Sequence, residues 1–324
     1  MLHHAIATQL ANIMNQSTSH VIMVRSDSFR MNEETAENNH YQQSIAGLTP
    51  EEVVDRSREE FEGLVSLLES HGVQVLVWDE LPDCVTPDCL FPNNWFSTHD
   101  NGTFVLYPMF APNRRLERRE DIPVDLEHLH GFQIEDIIDF SEFEEHNKFL
   151  EGTGSMVLDR VHEKAYAALS ERTDRGALAH YCSAMDVEGV AFEAFQTVNN
   201  QRLPIYHTNV MMSIGNGFAA VCLDCIDDQE ERELVRESLV EDGLDVIELT
   251  EEQIGAFAGN MLEVQGQSEQ LIVMSSAAFN ALTPTQKERL SQHGTLVHAD
   301  LTTIETCGGG SARCMIAENH LPRS

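Results

Sequence analysis

The stretch GVQVLVWDELPDCVTPDCLFPNNWFSTHDNGTFVLYP, residues 72–108, holds one copy of a pattern that this chain repeats five times. In each copy a helix-like segment ends at a glycine, a short apolar run follows, and a polar residue then opens a hairpin-like stretch. A fixed period indicates one supersecondary unit copied around an axis, so we expect a single ring-like α/β domain over residues 1–324. The glycines are Gly72, Gly131, Gly189, Gly243 and Gly294, and the polar residues are Asn94, Glu151, His207, Asn260 and Cys314.

Those five polar residues are spaced 57, 56, 53 and 54 positions apart. If each module delivers the same position to the same end of the ring, a Glu, a His, a Cys and two Asn meet there. Such a set of side chains contains a nucleophile and groups for acid–base chemistry. The repeat therefore predicts a reaction site as well as a fold.

The composition is strongly acidic, with 54 acidic and 20 basic residues and a formal charge of −34. Such a surface repels phosphate backbones and anionic lipid, so we expect neither a nucleic-acid nor a membrane partner. The first 20 residues lack the basic start and apolar stretch of a secretory signal, and no segment approaches a membrane helix. We expect a soluble, cytoplasmic protein. Oligomeric state is left open, and a homo-oligomer is compatible with the sequence.

Seven cysteines, an odd number in a long chain, suit a reducing compartment better than a disulfide framework. Cys222 and Cys225 form a C-x-x-C at the end of a strand-like run, but no second pair or histidine cluster accompanies them. We interpret both as packing residues and expect no metal and no cofactor.

Local signals place helices and hairpins around the repeat. Thr49-Pro50-Glu51-Glu52 predicts an N-cap, a first-turn proline and a capping-box glutamate, and Thr283-Pro284-Thr285-Gln286 repeats that opening. Asp227-Asp228 opens another helix, and less clear helices are expected near 113–130, where Pro123 must interrupt or delimit the helix, and near 173–188. The fifth hairpin lacks its second strand, and we expect the strand-like run HVIMVRS at 20–26 to supply it and close the ring.

Cys314 is the strongest candidate for a nucleophile. It follows three consecutive glycines, Gly308 to Gly310, which suit a backbone that approaches a ligand closely or offers it N–H groups. A thiolate at the end of such a loop is a reasonable nucleophile, although most cysteines are buried and inert. Cys307 is the rival, but it precedes the glycines and lies out of phase with the repeat.

His207 and Glu151 are the candidate partners of that cysteine. His207 opens the third hairpin in the shared phase, where a histidine could serve as general acid and base near neutral pH. Glu151 stands in Leu150-Glu151-Gly152-Thr153-Gly154, and a carboxylate that is followed by glycines and a strand indicates a side chain held close to another group. The alternatives are a satisfied structural histidine and a capping carboxylate.

Taken together, Glu151-Gly152, His207-x-Asn209 and GGGSARCM at 308–315 resemble the guanidine-modifying, or pentein, superfamily. That group includes arginine deiminase, dimethylarginine dimethylaminohydrolase and the amidinotransferases. The resemblance covers essentially the whole chain and implies a five-fold pseudosymmetric α/β propeller of ββαβ modules. It also implies Cys314 as nucleophile, His207 as acid and base, and Glu151 as the supporting carboxylate.

Two positions depart from the arginine deiminases, which carry Arg-Asp where Asn93-Asn94 stand and His-x-Asp where His207-Thr208-Asn209 stand. Those aspartates clamp a guanidinium, which only donates hydrogen bonds. A neutral ureido group has a carbonyl oxygen that needs donors, and an asparagine amide offers both a donor and an acceptor. We therefore expect Asn94 and Asn209 to bind a ureido amino acid, with citrulline as the obvious one. The chain most resembles the deiminase-related subgroup regarded as citrulline-utilising hydrolases.

This hypothesis has Cys314 attack the ureido carbon, with ornithine, ammonia and carbon dioxide as products; the order in which the two C–N bonds break is left open. The substrate carboxylate needs a cation, and four arginines within residues 114–119 favour Arg115, with Arg25 as another candidate. The polar stretch 29–39 is expected to be either a lid over the pocket or a surface loop.

Three other functions stay open at this point. A guanidino hydrolase or amidinotransferase that tolerates the asparagines is the nearest alternative. A catalytically inactive ring used as a binding module is a different class, which the in-phase Cys, His and Glu argue against. A zinc or redox protein built on Cys222 and Cys225 is the most distant.

Overall fold

The computed structural model describes residues 15–323 of the chain. Within them, five three-stranded sheets are built alike: the first strand pairs antiparallel with the second, which pairs parallel with the third. Sheet by sheet, the strands are Ala317–Glu318, His20–Arg25, Gln74–Asp79; Phe96–Thr98, Thr103–Leu106, Asp136–Asp139; Val157–Asp159, Lys164–Leu169, Glu188–Glu193; Met212–Gly215, Phe218–Val221, Asp245–Glu248; and Leu262–Gln265, Gln270–Ser275, Thr295–Ala299.

A two-stranded hairpin, Phe195–Val198 with Gln201–Pro204, extends from the third sheet. Its turn residues Asn199 and Asn200 both have positive φ, 50° and 61°, the backbone that a tight hairpin turn requires. The repeat did not predict this hairpin.

Helices connect the second and third strands of each sheet. The five principal ones are Pro50–Ser70, Asp121–His128, Arg175–Met185, Gln229–Glu241 and Pro284–Leu290. Shorter α-helical segments are Pro112–Arg115, Gly152–Ser155, Glu251–Gly255, Ser276–Ala281 and Thr302–Gly308, and 3₁₀ turns are Pro92–Asn94, Ser141–His146, Thr208–Val210 and Leu223–Cys225.

The capping signals place the helix starts correctly. The Thr49 hydroxyl accepts a hydrogen bond from the backbone N–H of Glu52, whose carboxylate accepts from the N–H of Thr49, which completes the predicted capping box. Thr283 and Gln286 form the same box. Asp228 caps the helix Gln229–Glu241. These bonds satisfy N–H groups that would otherwise lack partners at the first turn.

The helix expected near 113–130 is instead two helices. Pro112–Arg115 ends before Asp121–His128 begins, and Pro123 lies in the first turn of the second helix. A proline is tolerated there because the N–H it lacks has no intrahelical partner in the first turn. The helix expected near 173–188 spans Arg175–Met185 and is capped by Asp174.

The N-terminal strand joins the two ends of the described chain. His20–Arg25 pairs antiparallel with Ala317–Glu318 on one side and parallel with Gln74–Asp79 on the other. The prediction that residues 20–26 supply the missing strand of the last hairpin is therefore confirmed. Residues 1–14, part of the stretch interpreted as not being a secretory signal, lie outside the described residues.

The interior is apolar and includes the C-x-x-C pair. Cys222 and Cys225 are completely buried in a cluster of apolar side chains from the third, fourth and fifth sheets, with their sulfurs 3.2 Å apart. This burial agrees with their interpretation as packing residues. Across residues 15–323, no helix combines the length and apolarity needed to cross a membrane.

Candidate active site

The five in-phase residues occupy equivalent places in the fold. Each lies shortly before the first strand of one sheet, and each is at most 3% exposed. The helical segment Gly152–Ser155 contacts both 3₁₀ turns, Pro92–Asn94 and Thr208–Val210, so three of these segments pack against one another. One cavity is lined by Asn39, Gln42, Asp88, Phe91, Asn94, Arg114, Arg172, Tyr206, His207, Gly308, Gly309, Gly310 and Cys314.

His207 and Glu151 form a buried pair beside this cavity. His207 Nε2 lies 2.7 Å from Glu151 Oε2, and Glu151 Oε1 accepts from the N–H of Phe110 at 2.9 Å. Because a carboxylate only accepts, the imidazole must carry a proton on Nε2, which leaves Nδ1 as the basic nitrogen. Nδ1 has no hydrogen-bond partner among residues 15–323.

The electrostatics of the pair fix its protonation. Burial opposes ionisation of Glu151, but Arg172 and the His207 hydrogen bond outweigh it and lower the pKa of Glu151 to about 2. Burial lowers the pKa of His207 to about 4, despite the opposing effect of the Glu151 carboxylate. The pair at neutral pH is therefore a carboxylate and a neutral imidazole.

Cys314 stands in a turn after the glycine loop, with its N–H donating to Ser311 O at 3.0 Å. Its sulfur accepts hydrogen bonds from two amide groups, Asn260 Nδ2 at 3.3 Å and Asn209 Nδ2 at 3.6 Å. Burial raises the pKa of the Cys314 thiol above its usual value. Cys307, the rival nucleophile, lies in the helix Thr302–Gly308 and does not line the cavity.

The Asn94 amide is held in one orientation. Arg114 Nη1 donates to Asn94 Oδ1 at 2.8 Å, and since a guanidinium only donates, the atom that faces it must be the oxygen. Asn94 Nδ2 is then buried without a hydrogen-bond partner among the described residues. A buried donor without a partner is costly, so this amide group is one that a ligand would satisfy.

Gly154 makes the close approach of these groups possible. A Cβ atom at this position would lie 2.3 Å from Asn94 Nδ2 and 2.7 Å from His207 Nδ1. Both distances are far below van der Waals contact, so any larger residue would displace the two side chains. The close packing of Asn94 and His207 therefore explains why residue 154 is a glycine.

The structure does not bring Arg115 to the cavity. Its guanidinium donates to the backbone oxygens of Met109 and Phe110, and it forms an ion pair with Glu144 at 3.3 Å. Arg25 is likewise engaged elsewhere, with Glu62 and Asp79. Neither of the two arginines predicted to bind the substrate carboxylate is therefore placed to do so.

Two other arginines and one aspartate, which the sequence analysis missed, line the cavity instead. Arg114 is the direct neighbour of Arg115 and is 2% exposed. Arg172 follows the second strand of the third sheet, and its Nη1 lies 3.6 Å from Glu151 Oε2. Asp88 is buried, and its Oδ1 has no hydrogen-bond partner among the described residues. The arginine run was the signal for Arg114, but the prediction chose the next residue, Arg115.

The polar stretch 29–39 covers part of this cavity. Asn39 Nδ2 donates to Gly308 O and Gly309 O at 3.4 and 3.3 Å, and Gln42, just beyond the stretch, donates to Gly308 O at 3.0 Å. Asn38 accepts from Arg172 Nε at 2.9 Å. Of the two expectations for this stretch, the position over the pocket is the one observed.

Known structures share this fold. ArgZ, an arginine dihydrolase from the ornithine–ammonia cycle in cyanobacteria, matches 94% of this chain with a TM-score of 0.70 at 17% identity. This chain spans 41% of that ArgZ chain. It covers 99% of the ArgZ N-terminal domain, which was solved as a cysteine-to-serine mutant bound to substrate, with a TM-score of 0.66 at 17% identity.

A cysteine-to-serine mutant of DDAH from Pseudomonas aeruginosa, complexed with citrulline, also matches, with a TM-score of 0.63 at 12% identity. It covers 93% of this chain and 99% of its own. No functionally curated protein shows significant similarity to the chain. These likenesses confirm a mixed α/β fold of the pentein type.

Similarity to a protein family extends over nearly the whole sequence. The family described as N,N dimethylarginine dimethylhydrolase, eukaryotic, matches residues 25–321. This match confirms the predicted superfamily and the predicted enzyme class, a hydrolase of non-peptide C–N bonds, while Cys314 as the nucleophile stays a prediction. The chain belongs to the N,N dimethylarginine dimethylhydrolase family, within the pentein superfamily of guanidine-modifying enzymes.

Proposed function

We propose that this protein hydrolyses a neutral ureido amino acid, with citrulline as substrate and ornithine, ammonia and carbon dioxide as products. The observation that carries the proposal is the fixed amide of Asn94. Its free atom is a donor, because Arg114 occupies the oxygen. A donor suits the carbonyl oxygen of a ureido group and does not suit a guanidinium, which offers only donors of its own.

The amino-acid end of the substrate has complementary charges available. The unpartnered Oδ1 of Asp88 would accept from the α-ammonium group, and Arg172 replaces Arg115 as the proposed partner of the α-carboxylate. Arg172 has Nε and Nη2 bound to Asn38 Oδ1 and Thr35 O, while Nη1 lies 3.6 Å from Glu151 Oε2, beyond hydrogen-bond distance, so Nη1 is the atom that the substrate carboxylate would share with Glu151. A zwitterion bound in this way would satisfy a buried carboxylate oxygen that otherwise lacks a partner.

The proposed reaction begins with Cys314 Sγ and the ureido carbon. His207 Nδ1 takes the thiol proton, and the thiolate attacks the carbon, so that negative charge moves onto the oxygen facing Asn94 Nδ2. His207 then returns the proton to the first nitrogen to leave, so that one C–N bond breaks and the carbonyl carbon stays bonded to Cys314 Sγ. In the second half-reaction His207 activates one water, which attacks this carbon and breaks the C–S bond. The Cys314 thiol is restored, and the carbamate released decomposes to carbon dioxide and the second amine. Glu151 stabilises the imidazolium that forms in each half. One water is consumed per citrulline.

The proposal includes a single domain over residues 1–324, arranged as a five-fold propeller. Five sheets of equal construction and the pairing of the N-terminal strand with the last strand support it. Asn209 is placed beside the sulfur of Cys314, so it would act on the reacting centre of the same substrate. Three further points remain predictions: that the protein uses no cofactor, that it has no nucleic-acid or membrane partner, and that it is cytoplasmic.

A guanidino substrate is the second candidate. The family match is to a dimethylarginine hydrolase, and the structurally similar ArgZ is an arginine dihydrolase. Arginine or a methylated arginine could present one nitrogen to Asp88 or to the Asn209 oxygen, although the free donor of Asn94 would then oppose another donor.

Separate incubations with citrulline, arginine and methylated arginines, followed by amino-acid analysis, test the proposal. We expect ornithine and ammonia from citrulline, and none from a Cys314→Ala control. Asn94→Asp places a carboxylate against the ureido oxygen, so kcat/KM for citrulline should fall at least about tenfold while affinity for arginine improves. Citrulline that accumulates from arginine and is not consumed would overturn the proposal in favour of the guanidino candidate.

A further inference from the structure

Asn260, the in-phase residue of the fourth module, has no assigned role, yet it contacts the sulfur of Cys314. Its Nδ2 lies 3.3 Å from Cys314 Sγ and 2.9 Å from the backbone oxygen of Asn209. The residue is completely buried. Both amide hydrogens therefore have acceptors, and one of those acceptors is the proposed nucleophile.

The orientation of this amide is fixed by the neighbour of the cysteine. The backbone N–H of Arg313 donates to Asn260 Oδ1 at 3.0 Å, so the oxygen is the atom that faces residue 313. The NH₂ group then necessarily faces the sulfur. The oxygens of the two amides lie farther from Sγ, with Asn260 Oδ1 at 3.7 Å and Asn209 Oδ1 at 3.9 Å. These oxygens accept a hydrogen bond from the neutral thiol and do not stabilise the thiolate.

The backbone before Asn260 is shaped to hold it there. Phe257 has a φ of 60°, an unusual conformation for a bulky residue, and its carbonyl accepts from the N–H of Asn260 at 2.9 Å. A Cβ at Gly259 would lie 2.4 Å from the backbone oxygen of Val210, so only glycine allows this close approach. Strained backbone of this kind persists where the surrounding structure requires it.

We propose that Asn260 is a further residue of the reaction, whose fixed amide donates to Cys314 Sγ and stabilises the thiolate that attacks the substrate. This inference rests on the proposed role of Cys314. Hydrogen bonds to a charged acceptor are stronger than those to a neutral one, so the amide favours the thiolate over the thiol.

Among the described residues, one other side chain donates to this sulfur, the amide of Asn209 at the longer distance of 3.6 Å. The titratable and charged residues that line the cavity with Cys314 are Asp88, Arg114, Arg172, Tyr206 and His207, and Arg313 lies on the same turn as the cysteine. Arg313 already donates to Glu318 and to Ile316 O, and Arg114 to Glu117 and Asn94. A neutral amide at 3.3 Å is the nearest donor to the sulfur among the described residues.

The test is the pH dependence of Cys314 alkylation by iodoacetamide, followed by mass spectrometry of the peptide that contains residue 314. Asn260→Asp is nearly isosteric and keeps the acceptor for Arg313 N–H, but it presents an oxygen to the sulfur. For Asn260→Asp we expect the midpoint of the pH dependence of Cys314 alkylation to rise by at least one pH unit. The alkylation rate at pH 8 should fall about tenfold. Asn260→Ala should change in the same direction.

Ser213→Ala is the matched control, because Ser213 is buried and its hydroxyl has no partner among the described residues. Its alkylation profile should coincide with that of the unaltered protein. If the Asn260→Asp profile coincides as well, the inference is overturned. Should Asn260→Ala fail to fold, Asn260→Asp carries the test. Alkylation requires no turnover, so the result stands apart from whether citrulline is the substrate.

Discussion

At the scale of single residues, the pair of Glu151 and His207 decides which protonation states the site can use. The carboxylate holds the proton of the imidazole on Nε2 and keeps Nδ1 basic. Burial makes the imidazolium unfavourable and lowers the pKa of His207. The histidine is thus a base that is already unprotonated at neutral pH.

This arrangement predicts the acid side of the pH profile. His207 must be neutral to accept the thiol proton, and its pKa is lowered to about 4, so kcat/KM for citrulline should be level at pH 6 and fall as the pH drops through about 4. Steady-state assays between pH 3.5 and 8 measure this. An acid limb near pH 6.5, the ordinary histidine value, would contradict the assignment. Glu151→Gln should lower kcat at least about 100-fold.

The positions of the proposed catalytic residues were predictable, because a repeat in phase identifies equivalent positions without knowledge of their surroundings. Glu151, His207 and Cys314 were found in this way. Arg114 was not, because adjacent residues of a helix point about 100° apart, and only the packing of Pro112–Arg115 decides which arginine faces the cavity. Asp88 and Arg172 reach the cavity through tertiary contacts that no local pattern records.

At the scale of elements, the short helix Gly152–Ser155 brings two functional side chains together. Gly154→Ala would place a methyl group against Asn94 and His207. We expect kcat/KM to fall about 100-fold, since a displacement of about 1 Å has this effect in a positioned site. Steady-state kinetics with citrulline, together with urea unfolding, separates a local displacement from a loss of fold.

Gly63→Ala is the control for that substitution. Gly63 lies within the helix Pro50–Ser70, and an added Cβ would meet nothing within 4 Å. Alanine in an exposed helix interior is more favourable than glycine, so stability should rise by about 0.5–1 kcal/mol with activity unchanged. Equal losses of activity in both variants would contradict the steric role of Gly154.

Elements with explicit end signals were predicted well, and those without them were not. Thr49, Thr283 and Asp228 mark helix starts because their side chains bond to backbone N–H groups within three residues. The hairpin around Asn199 and Asn200 was missed, although two asparagines tolerate the positive φ that its turn requires. Its strands contain too few apolar residues to show an alternating pattern.

At the scale of the whole molecule, a buried ionic cluster secures the last strand. Glu318 pairs with Val21 in the sheet, and its carboxylate accepts from Arg313 Nη2 at 2.7 Å, with Arg160 at 3.9 Å. Burial opposes ionisation, but the two arginines lower the pKa of Glu318 well below its usual range. The carboxylate is therefore charged and paired at neutral pH.

Glu318→Gln should destabilise the protein by about 3 kcal/mol, because it leaves buried guanidinium groups without an anion. Urea unfolding at pH 7 measures the change. Glu248→Gln, which removes an exposed partner of Arg236, should change stability by no more than about 0.5 kcal/mol. Equal effects in the two variants would show that the cluster adds nothing beyond a surface ion pair.

The strand His20–Arg25 lies between Gln74–Asp79 and Ala317–Glu318. During synthesis it leaves the ribosome before residues 317–318 have been translated. A nascent chain must therefore keep an apolar strand edge unpaired until residues 317–318 arrive, which is a template for association with other chains. Protection by a chaperone at that stage would matter more for this protein than for one whose sheets are each complete as soon as they are made.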